Sequence, residues 1–340
     1  MTGRQYAAAG VDLAGAEAAK QRIAESVAST RTGLSVGTVG SFGGMVRVPD
    51  GYRRPVLVMS TDGVGTKVLV ARDAARLSTV GEDLVNHGVN DILVHGARPL
   101  AFQDYLAGAG LAVDAIAEIV DGVARGCRAH GMSLTGGETA QMPGVYREGD
   151  FDLAGTIVGV VEEDRALHGD AIAPGDTLVA LASTGLHTNG YTLARRIILE
   201  RLGLALDSVP SELDESIADA LLAVHRSYWK AIDPVLDLVH GLAHITGGGI
   251  PGNLIRVLPE GCEAVIDQSS WTPPPLFGLI QRGGDVSTQE MREVFNLGVG
   301  MIAAVPAGGV ERVLSAALAS GDRAWVVGEI RRGTRGVRFA

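Results

Sequence analysis

The sequence predicts an α/β protein with mixed sheets of α+β type, divided into two domains. Short apolar runs that stop at Gly or Pro alternate with longer segments whose apolar residues recur at helical spacing. The 340 residues exceed what one typical core serves and suggest two cores of about 150 to 170 residues each. From Glu162 to Asp176 the composition turns polar around a Pro174-Gly175 turn, almost at the midpoint, which sets the domains at 1–165 and 174–340.

In chain order, Tyr6 to Asp12 reads as an extended entry and Ala14 to Ser29 as a helix, with Ala19, Ile23 and Val27 on one face. Gly33 to Gly44 holds five glycines in twelve residues, either a plain linker or a lid that orders over a ligand. Val56 to Met59, bounded by Pro55, form a short buried strand that stops at Ser60-Thr61-Asp62-Gly63-Val64-Gly65-Thr66-Lys67. Thr79 to His95 is helical, with Leu84, Val85, Val89, Ile92 and Leu93 as the buried stripe; Asp83, His87, Asn90 and Asp91 fall on the other side, as a solvated face would place them. Leu100 to Ala107 alternates like a strand, and Val113 to His130 repeats as a helix with Asp114 as N-cap. Ser133 and Leu134 are a strand that ends before Thr135-Gly136-Gly137-Glu138-Thr139, and Leu153 to Val161 is a further strand.

The second half opens on the strand Thr177 to Ala182, the loop Ser183-Thr184-Gly185-Leu186-His187-Thr188-Asn189-Gly190 and a helix over Tyr191 to Leu202. Helices follow at Ser211 to Val224 and Tyr228 to Val239, then a second polar Gly loop, His244 to Asn253. Strands at Cys262 to Asp267, Gly298 to Val305 and Ala324 to Glu329 are separated by helices at Pro275 to Gln281, Gln289 to Val294 and Val310 to Ser320.

A formal net charge of -10 with no Lys/Arg-rich block argues against a nucleic-acid partner. An acidic chain that holds phosphates needs backbone amides, helix N-termini and metal ions rather than a basic field. Two cysteines, Cys127 and Cys262, imply a reducing compartment and core positions. Met1 to Gly10 lacks a basic stretch followed by an apolar one, and no run reaches the roughly 20 apolar residues of a membrane span, so a soluble cytoplasmic protein with no membrane partner is expected.

Asp62 offers a hard oxygen ligand, Gly63 and Gly65 admit an anion close to the backbone, and Lys67 adds a positive charge, a set that suits a metal-bound polyphosphate. A tight turn beside a solvated lysine reads the same way. Asp62, Asp91 and Glu138 are the three carboxylates set in Gly/Asn/Thr contexts in the first half, and the loops at 183–190 and 246–253 can cradle phosphate in the second. Nucleotide and metal would then lie against the first domain, and an acceptor phosphate against the second. Gly247, Gly249 and Gly252 match a dinucleotide fingerprint literally, with Asp267 downstream, yet Pro251 stiffens the turn and the next strand arrives too early. Gly65-Thr66-Lys67 resembles the end of a Walker loop, but Val68 replaces the Mg²⁺-binding hydroxyl. No H-E-x-x-H or paired C-x-x-C occurs, and the one G-x-S-x-G match, Gly33 to Gly37, lies in the Gly-rich stretch and not at a strand-to-helix elbow.

Seven strings, STDGVGTK (60–67), VNDILVHGARPLAFQDY (89–105), GGETAQMPG (136–144), STGLHTNGY (183–191), HITGGGIPGN (244–253), IDQSSW (266–271) and MREVFNLGVGM (291–301), follow one another over nearly the whole chain. In this order and spacing the sequence resembles the phosphoribosylformylglycinamidine cyclo-ligase family, the aminoimidazole ribonucleotide synthetases. The resemblance implies ATP-driven closure of formylglycinamidine ribonucleotide with release of ADP and phosphate, a small ribotide substrate, Mg²⁺, and a homodimer built through the sheet of the first domain. It implies Asp62, Asp91 and Glu138 as metal and ATP ligands, with Gly63, Val64, Gly65, Thr66, Asn90 and Asn189 as further nucleotide contacts. Asp62, Lys67 and His187 would serve the chemistry. Ser183, Thr184, Gly185, Thr246, Gly247, Gly248 and Gly249 would hold the substrate. Read without the resemblance, His187 is a hydrogen-bonded loop histidine. Two departures stand out: Gln141 replaces a frequent second glutamate, and the first helix offers Lys20 and Arg22 but no basic residue at position 24. Selenophosphate synthetases and thiamine-monophosphate kinases share the superfamily; the reactive N-terminal Cys of the former has no counterpart before Cys127.

Overall fold

The computed structural model describes residues 13–38 and 40–340, so the expected extended entry at Tyr6 to Asp12 lies outside the described residues. The chain divides into two compact units: the first gathers the chain up to Ile92 with Arg98–Glu163, the second Leu93–Ala97 with Asp164–Ala340.

The first unit runs α1 (Leu13–Ser29), β1 (Ser35–Val36), β2 (Met45–Val46), β3 (Pro55–Gly63), α2 (Lys67–Asp73), α3 (Ser78–Leu93), β4 (Arg98–Gly108), α4 (Val113–Ala129), β5 (Ser133–Gln141) and β6 (Phe151–Glu162). Of the Gly33 to Gly44 stretch, Ser35 and Val36 form one strand of a small antiparallel ribbon, Ser35 facing Val46 and Val36 facing Met45. A four-stranded sheet has the order β3-β6-β4-β5, with β4 and β5 parallel and the other neighbours antiparallel. Phe102 and Leu106 of β4 are buried, as are Leu84, Val85, Val89 and Ile92 of α3, the stripe expected from spacing, and a Cβ on Gly155 would meet both Phe102 and Leu84. Two expected strand ends move. β3 continues through Asp62, which pairs with Gly155, and β5 continues through Glu138, which pairs with Tyr105. Ladder partners outweigh the local turn preference of Asp and Gly, a tertiary effect that spacing cannot show. Ala112, not Asp114, is the N-cap of α4; Asp114 sits in the first turn, where its charge complements the helix dipole.

Helices α3 and α4 cross where both backbones are bare. A Cβ on Gly122 would run into the Ser78 carbonyl, and one on Gly81 into the Ile119 carbonyl. Beside the crossing, the Glu118 carboxylate accepts from the Leu77 and Ser78 amides at 2.8 and 3.0 Å and so caps α3 from the neighbouring helix. Gly122→Ala, which would stabilise an exposed helix, is therefore expected to destabilise this unit by about 1–3 kcal/mol. A lowered urea midpoint at unchanged slope is the expected result, and a raised midpoint would contradict the crossing.

The second unit runs β7 (Thr177–Ala182), α5 (Tyr191–Arg195), α6 (Ile217–Leu222), α7 (Trp229–Ile232), β8 (Gly241–His244), α8 (Gly249–Leu254), β9 (Cys262–Ile266), α9 (Pro275–Gly284), α10 (Thr288–Val294), β10 (Val299–Val305), α11 (Val310–Ala319), β11 (Ala324–Arg332) and β12 (Gly336–Phe339). Six strands form one mixed sheet in the order β12-β9-β11-β7-β10-β8. Leu178 and Ala180 of β7 enter one core with Ile250 and Leu254, while Val179 and Leu181 enter the opposite core with Ala231, Ile232 and Val313. Both sheet faces are covered, which is why β7 and β10 read as unbroken apolar runs. The helix expected over Ser211 to Val224 shrinks to α6, capped by the Ser216 side chain accepting from the Asp219 amide. That over Tyr228 to Val239 becomes a 3₁₀ turn from Asp233, since Pro234 supplies no amide to an α-helical ladder. Beyond Arg195 the Tyr191 helix passes into a π-helical turn over Arg196–Arg201.

Candidate active site

In the first unit a polar cluster lies on the helix-covered face of the sheet. Asp62 near the end of β3 and Asp91 on α3 both approach His87 Nε2, at 3.0 and 3.6 Å from their Oδ2 atoms. Ser60 donates to Asp91 Oδ2 at 2.8 Å, and the Gly63 amide donates to Asp62 Oδ1 at 2.7 Å. His87 and Asp91, one turn apart on α3, thus meet two side chains that alternate on β3. The solvated face expected for α3 is corrected here: Asp83 and Asn90 are fully buried and His87 nearly so, while Asp91 keeps partial exposure. The loop after β3 starts at Gly63, the strand's last residue; it buries Val64, sets Gly65 at φ +55° and enters α2 after Thr66.

Lys67 does not stand in solvent as a phosphate contact. It is wholly buried, with Nζ 2.7 Å from Asp83 Oδ2, also wholly buried. Burial pushes the lysine's pKa down against the pull of Asp83. The charge expected to face phosphate is committed inside the protein.

Glu138 departs from the expected trio as well. Asp62 pairs through Gly155 with Asp104, and these positions share the face packed on the helices, whereas Glu138 pairs with Tyr105, which alternates to the open face. It also lies three strands from Asp62, about 14 Å away at ordinary strand spacing. Within one chain Asp62 and Asp91 converge and Glu138 does not join them.

Hydrogen bonding to His87 holds the Asp62 carboxyl below its usual range, against the opposing effects of burial and Asp91. Burial lowers His87, but Asp62, Asp91 and Asp83 together raise it. Asp104, buried beneath the same face and facing Gly137, is pushed up to about 7 by burial. A carboxyl raised from 3.8 to about 7 contributes stability that is fully present below 3.8 and lost as pH rises through about 7. His87, raised above 6.5, acts in the same direction, its contribution being lost as pH passes its raised pKa. Asp62 contributes above its unfolded value and loses that contribution only in acid. Thermal melts are therefore expected to show the protein less stable at pH 8.5 than at pH 6, a difference of the order of a few kcal/mol at most. Asp104→Asn should reduce that slope; an unchanged slope would show that Asp104 is ionised throughout.

In the second unit the two Gly-rich loops adjoin: a Cβ on Gly247 would lie 3.2 Å from Asn189 Oδ1. Each loop is fixed by a buried asparagine. Asn296 Nδ2 donates to the Gly185 carbonyl at 2.9 Å while its Oδ1 accepts from Ser183 Oγ at 3.1 Å. Asn253 Nδ2 donates to the carbonyls of Thr246, Gly247 and Gly249 at 3.3, 3.2 and 2.8 Å. The hydroxyls of Ser183, Thr184 and Thr246 bond within the protein, to Gly185, Val224 and Asn253. Gly248 and Gly249 take φ +95° and +59°, a turn that suits glycine. His187 is buried, with Nε2 accepting from the Thr184 amide at 3.2 Å.

Sequence reasoning missed the asparagine staples, the His87 bridge and two histidines that accompany His187, namely His225 and His244. Asn253 and Asn296 lay inside quoted strings, and an asparagine in a Gly-rich run is a signal that loop carbonyls need a donor. Nothing in local spacing marks His225.

Solved structures share this architecture. A thiamine-monophosphate kinase from Stenotrophomonas maltophilia K279a aligns with TM-score 0.67 at 18% identity, covering 94% of this chain and 95% of that one. The E. coli protein HypE aligns with TM-score 0.66 at 18% identity over 96% and 93%. At such identity they show the fold. Family models described as AIR synthase related protein match residues 43–161 for the N-terminal domain and 173–339 for the C-terminal domain. Curated relatives named phosphoribosylformylglycinamidine cyclo-ligase are 48% identical in Myxococcus xanthus (strain DK1622), over 97% of both chains, and 47% identical in Sorangium cellulosum (strain So ce56), over 96% of this chain and 94% of that one. The resemblance seen in seven strings thus extends along nearly the full length, and the chain belongs to the phosphoribosylformylglycinamidine cyclo-ligase family.

Proposed function

We infer that this protein closes the imidazole ring of aminoimidazole ribonucleotide from formylglycinamidine ribonucleotide, consuming ATP and releasing ADP and phosphate. The observation that carries this reading is near half identity, over almost the entire length, to relatives whose name states that ring closure. ATP use is supported by fold neighbours solved with nucleotides, a HypE in complex with ATP and a T. maritima PurL complexed with AMPPCP.

An amide oxygen leaves poorly. Its attack on the γ-phosphorus, with loss of ADP, makes an imidoyl phosphate; an amidine nitrogen then adds to that carbon, a proton departs, and the C–O bond breaks to release phosphate. Both steps ask the protein for placement and charge compensation. Asp62 and Asp91 would suit a hard divalent ion, because two carboxylates already converge on one point, His87 Nε2, and such an ion takes one or two carboxylates beside phosphate oxygens and water. Mg²⁺ held there would neutralise charge on the transferring phosphoryl group. Ser60 and the Gly63 amide orient those carboxylates, and the loops fixed by Asn253 and Asn296 present backbone amides to the ribotide phosphate.

A homodimer formed through the first unit's sheet is part of the proposal: Leu57, Met59 and Tyr105 stand exposed on its open face, apolar surface that a second copy would cover. Among the described residues no helix is long and apolar enough to cross a membrane, and both cysteines are free and buried, which suits a cytoplasmic setting.

The test is incubation with ATP, Mg²⁺ and the formylamidine ribotide, following the aminoimidazole colour reaction together with ADP. Equal yields of both products are expected. ATP binding without phosphate release would instead mark a nucleotide-binding subunit.

A further inference from the structure

Three buried histidines meet in the second unit. His187 lies in the loop after β7, His225 follows α6 and His244 ends β8. The His187 and His225 rings stack, centroids 3.9 Å apart and planes 20° from parallel. His225 Nε2 lies 3.1 Å from His244 Nε2, and His225 Nδ1 lies 3.3 Å from Thr188 Oγ1.

Nitrogen atoms from all three rings lie within 4.8 Å of one another, yet a shared metal ion accounts poorly for the arrangement. Imidazole lone pairs lie in the ring plane, so two nearly parallel stacked rings aim them side by side, not at the single point that short metal–nitrogen bonds require.

The backbone points elsewhere. His187 has φ +61°, in the left-handed region that a side chain other than glycine adopts only when its surroundings impose it. Those surroundings can be named. The Thr184 amide donates to His187 Nε2, which therefore carries the lone pair and leaves the proton of the neutral ring on Nδ1. Gly300 backs the ring: a Cβ there would come within 2.7 Å of His187 Cε1 and would strike the Tyr228 hydroxyl. Tyr228 is itself tied to the Ala182 carbonyl at 2.9 Å. His225 supplies the stacked face, and its own ring is pinned at both nitrogens.

We propose that His225, held by Thr188 and His244, is a positioning residue that clamps His187 in its left-handed loop conformation as the Nδ1–H tautomer, so that His187 serves the reaction as a hydrogen-bond donor and not as a base. The functional half of this statement rests on the reading of the 183–190 loop as part of the substrate site; the structural half does not.

Two variants of the full-length protein test it. His225→Phe keeps a flat ring against His187 but loses both nitrogens, and His225→Ala loses the stack as well. With ¹⁵N-labelled histidine, long-range proton–nitrogen spectra should show His187 as a single Nδ1–H tautomer in the parent and a tautomer mixture in His225→Ala, with His225→Phe between them. In turnover, His225→Ala should lose roughly ten- to a hundred-fold in kcat with the KM for ATP unchanged, and His225→Phe should lose less. A parent-like His187 spectrum in folded His225→Ala would overturn the clamp, as would a kcat equal to the parent's. Should no form of the protein turn over the ribotide, the proposed function fails, and the spectra still decide the role of His225.

Discussion

Asp62→Asn is expected to lower kcat for phosphate release by roughly a hundred- to a thousand-fold, since on the proposed function it removes the charge of a ligand to the ion that compensates the transferring phosphoryl group. The fold should survive. The side chain is half exposed, and an asparagine Oδ1 can still accept from the Gly63 amide. What disappears is the negative charge that, with Asp91, faces His87. The Mg²⁺ concentration for half-maximal rate should therefore rise along with the fall in kcat, while the far-ultraviolet circular dichroism stays close to the parent's and the melting temperature falls only slightly, by the loss of the half-exposed contact to His87. A normally folded Asp62→Asn enzyme with parent-like turnover would remove this residue from the metal role. Glu138→Gln makes the contrast: from the other face of the sheet, it should leave the Mg²⁺ dependence within about two-fold.

Much of this cluster was legible in the sequence, and the part that was not has a physical reason. Asp62 and Asp91 stood out because carboxylates in Gly- and Asn-rich surroundings are common ligands, and the two do converge. Glu138 carried the same local signal, yet its face is set by strand pairing: β5 runs on beside β4 in a register with a bulge between Phe102 and Gln103, which a local window does not contain. His87 fell on the polar side of its helix, and helical spacing assigns a polar side to solvent unless another element brings polar groups to meet it. Strand β3 brings Ser60 and Asp62. The edge strands β8 and β12 escaped notice because each is four residues long and defined by its neighbour's ladder. The long apolar elements, β7 and β10 above all, were read with nearly their true boundaries because burial on both faces leaves little room for polar residues.

Lys67→Ala should begin to separate two roles for this lysine, anchor of the loop through its buried ion pair and contact to phosphate. A buried ion pair deprived of one partner leaves an uncompensated charge, here Asp83 on α3, and the expected loss is about 3–5 kcal/mol. For a unit of this size that corresponds to a fall of roughly 6–20 °C in its melting temperature. The pair joins the start of α2 to α3, so the site loop between β3 and α2 loses an anchor, and turnover should fall with stability. Replacing both partners by apolar residues of similar size, Lys67→Met with Asp83→Leu, should restore most of the melting temperature, because desolvation of the two charges largely offsets their attraction. Activity in the double variant then becomes decisive. If the lysine acts only by holding the loop, phosphate release returns with the melting temperature. If the refolded double variant stays inactive with a raised KM for ATP, Lys67 contacts phosphate after all, through an excursion from the buried position it occupies here.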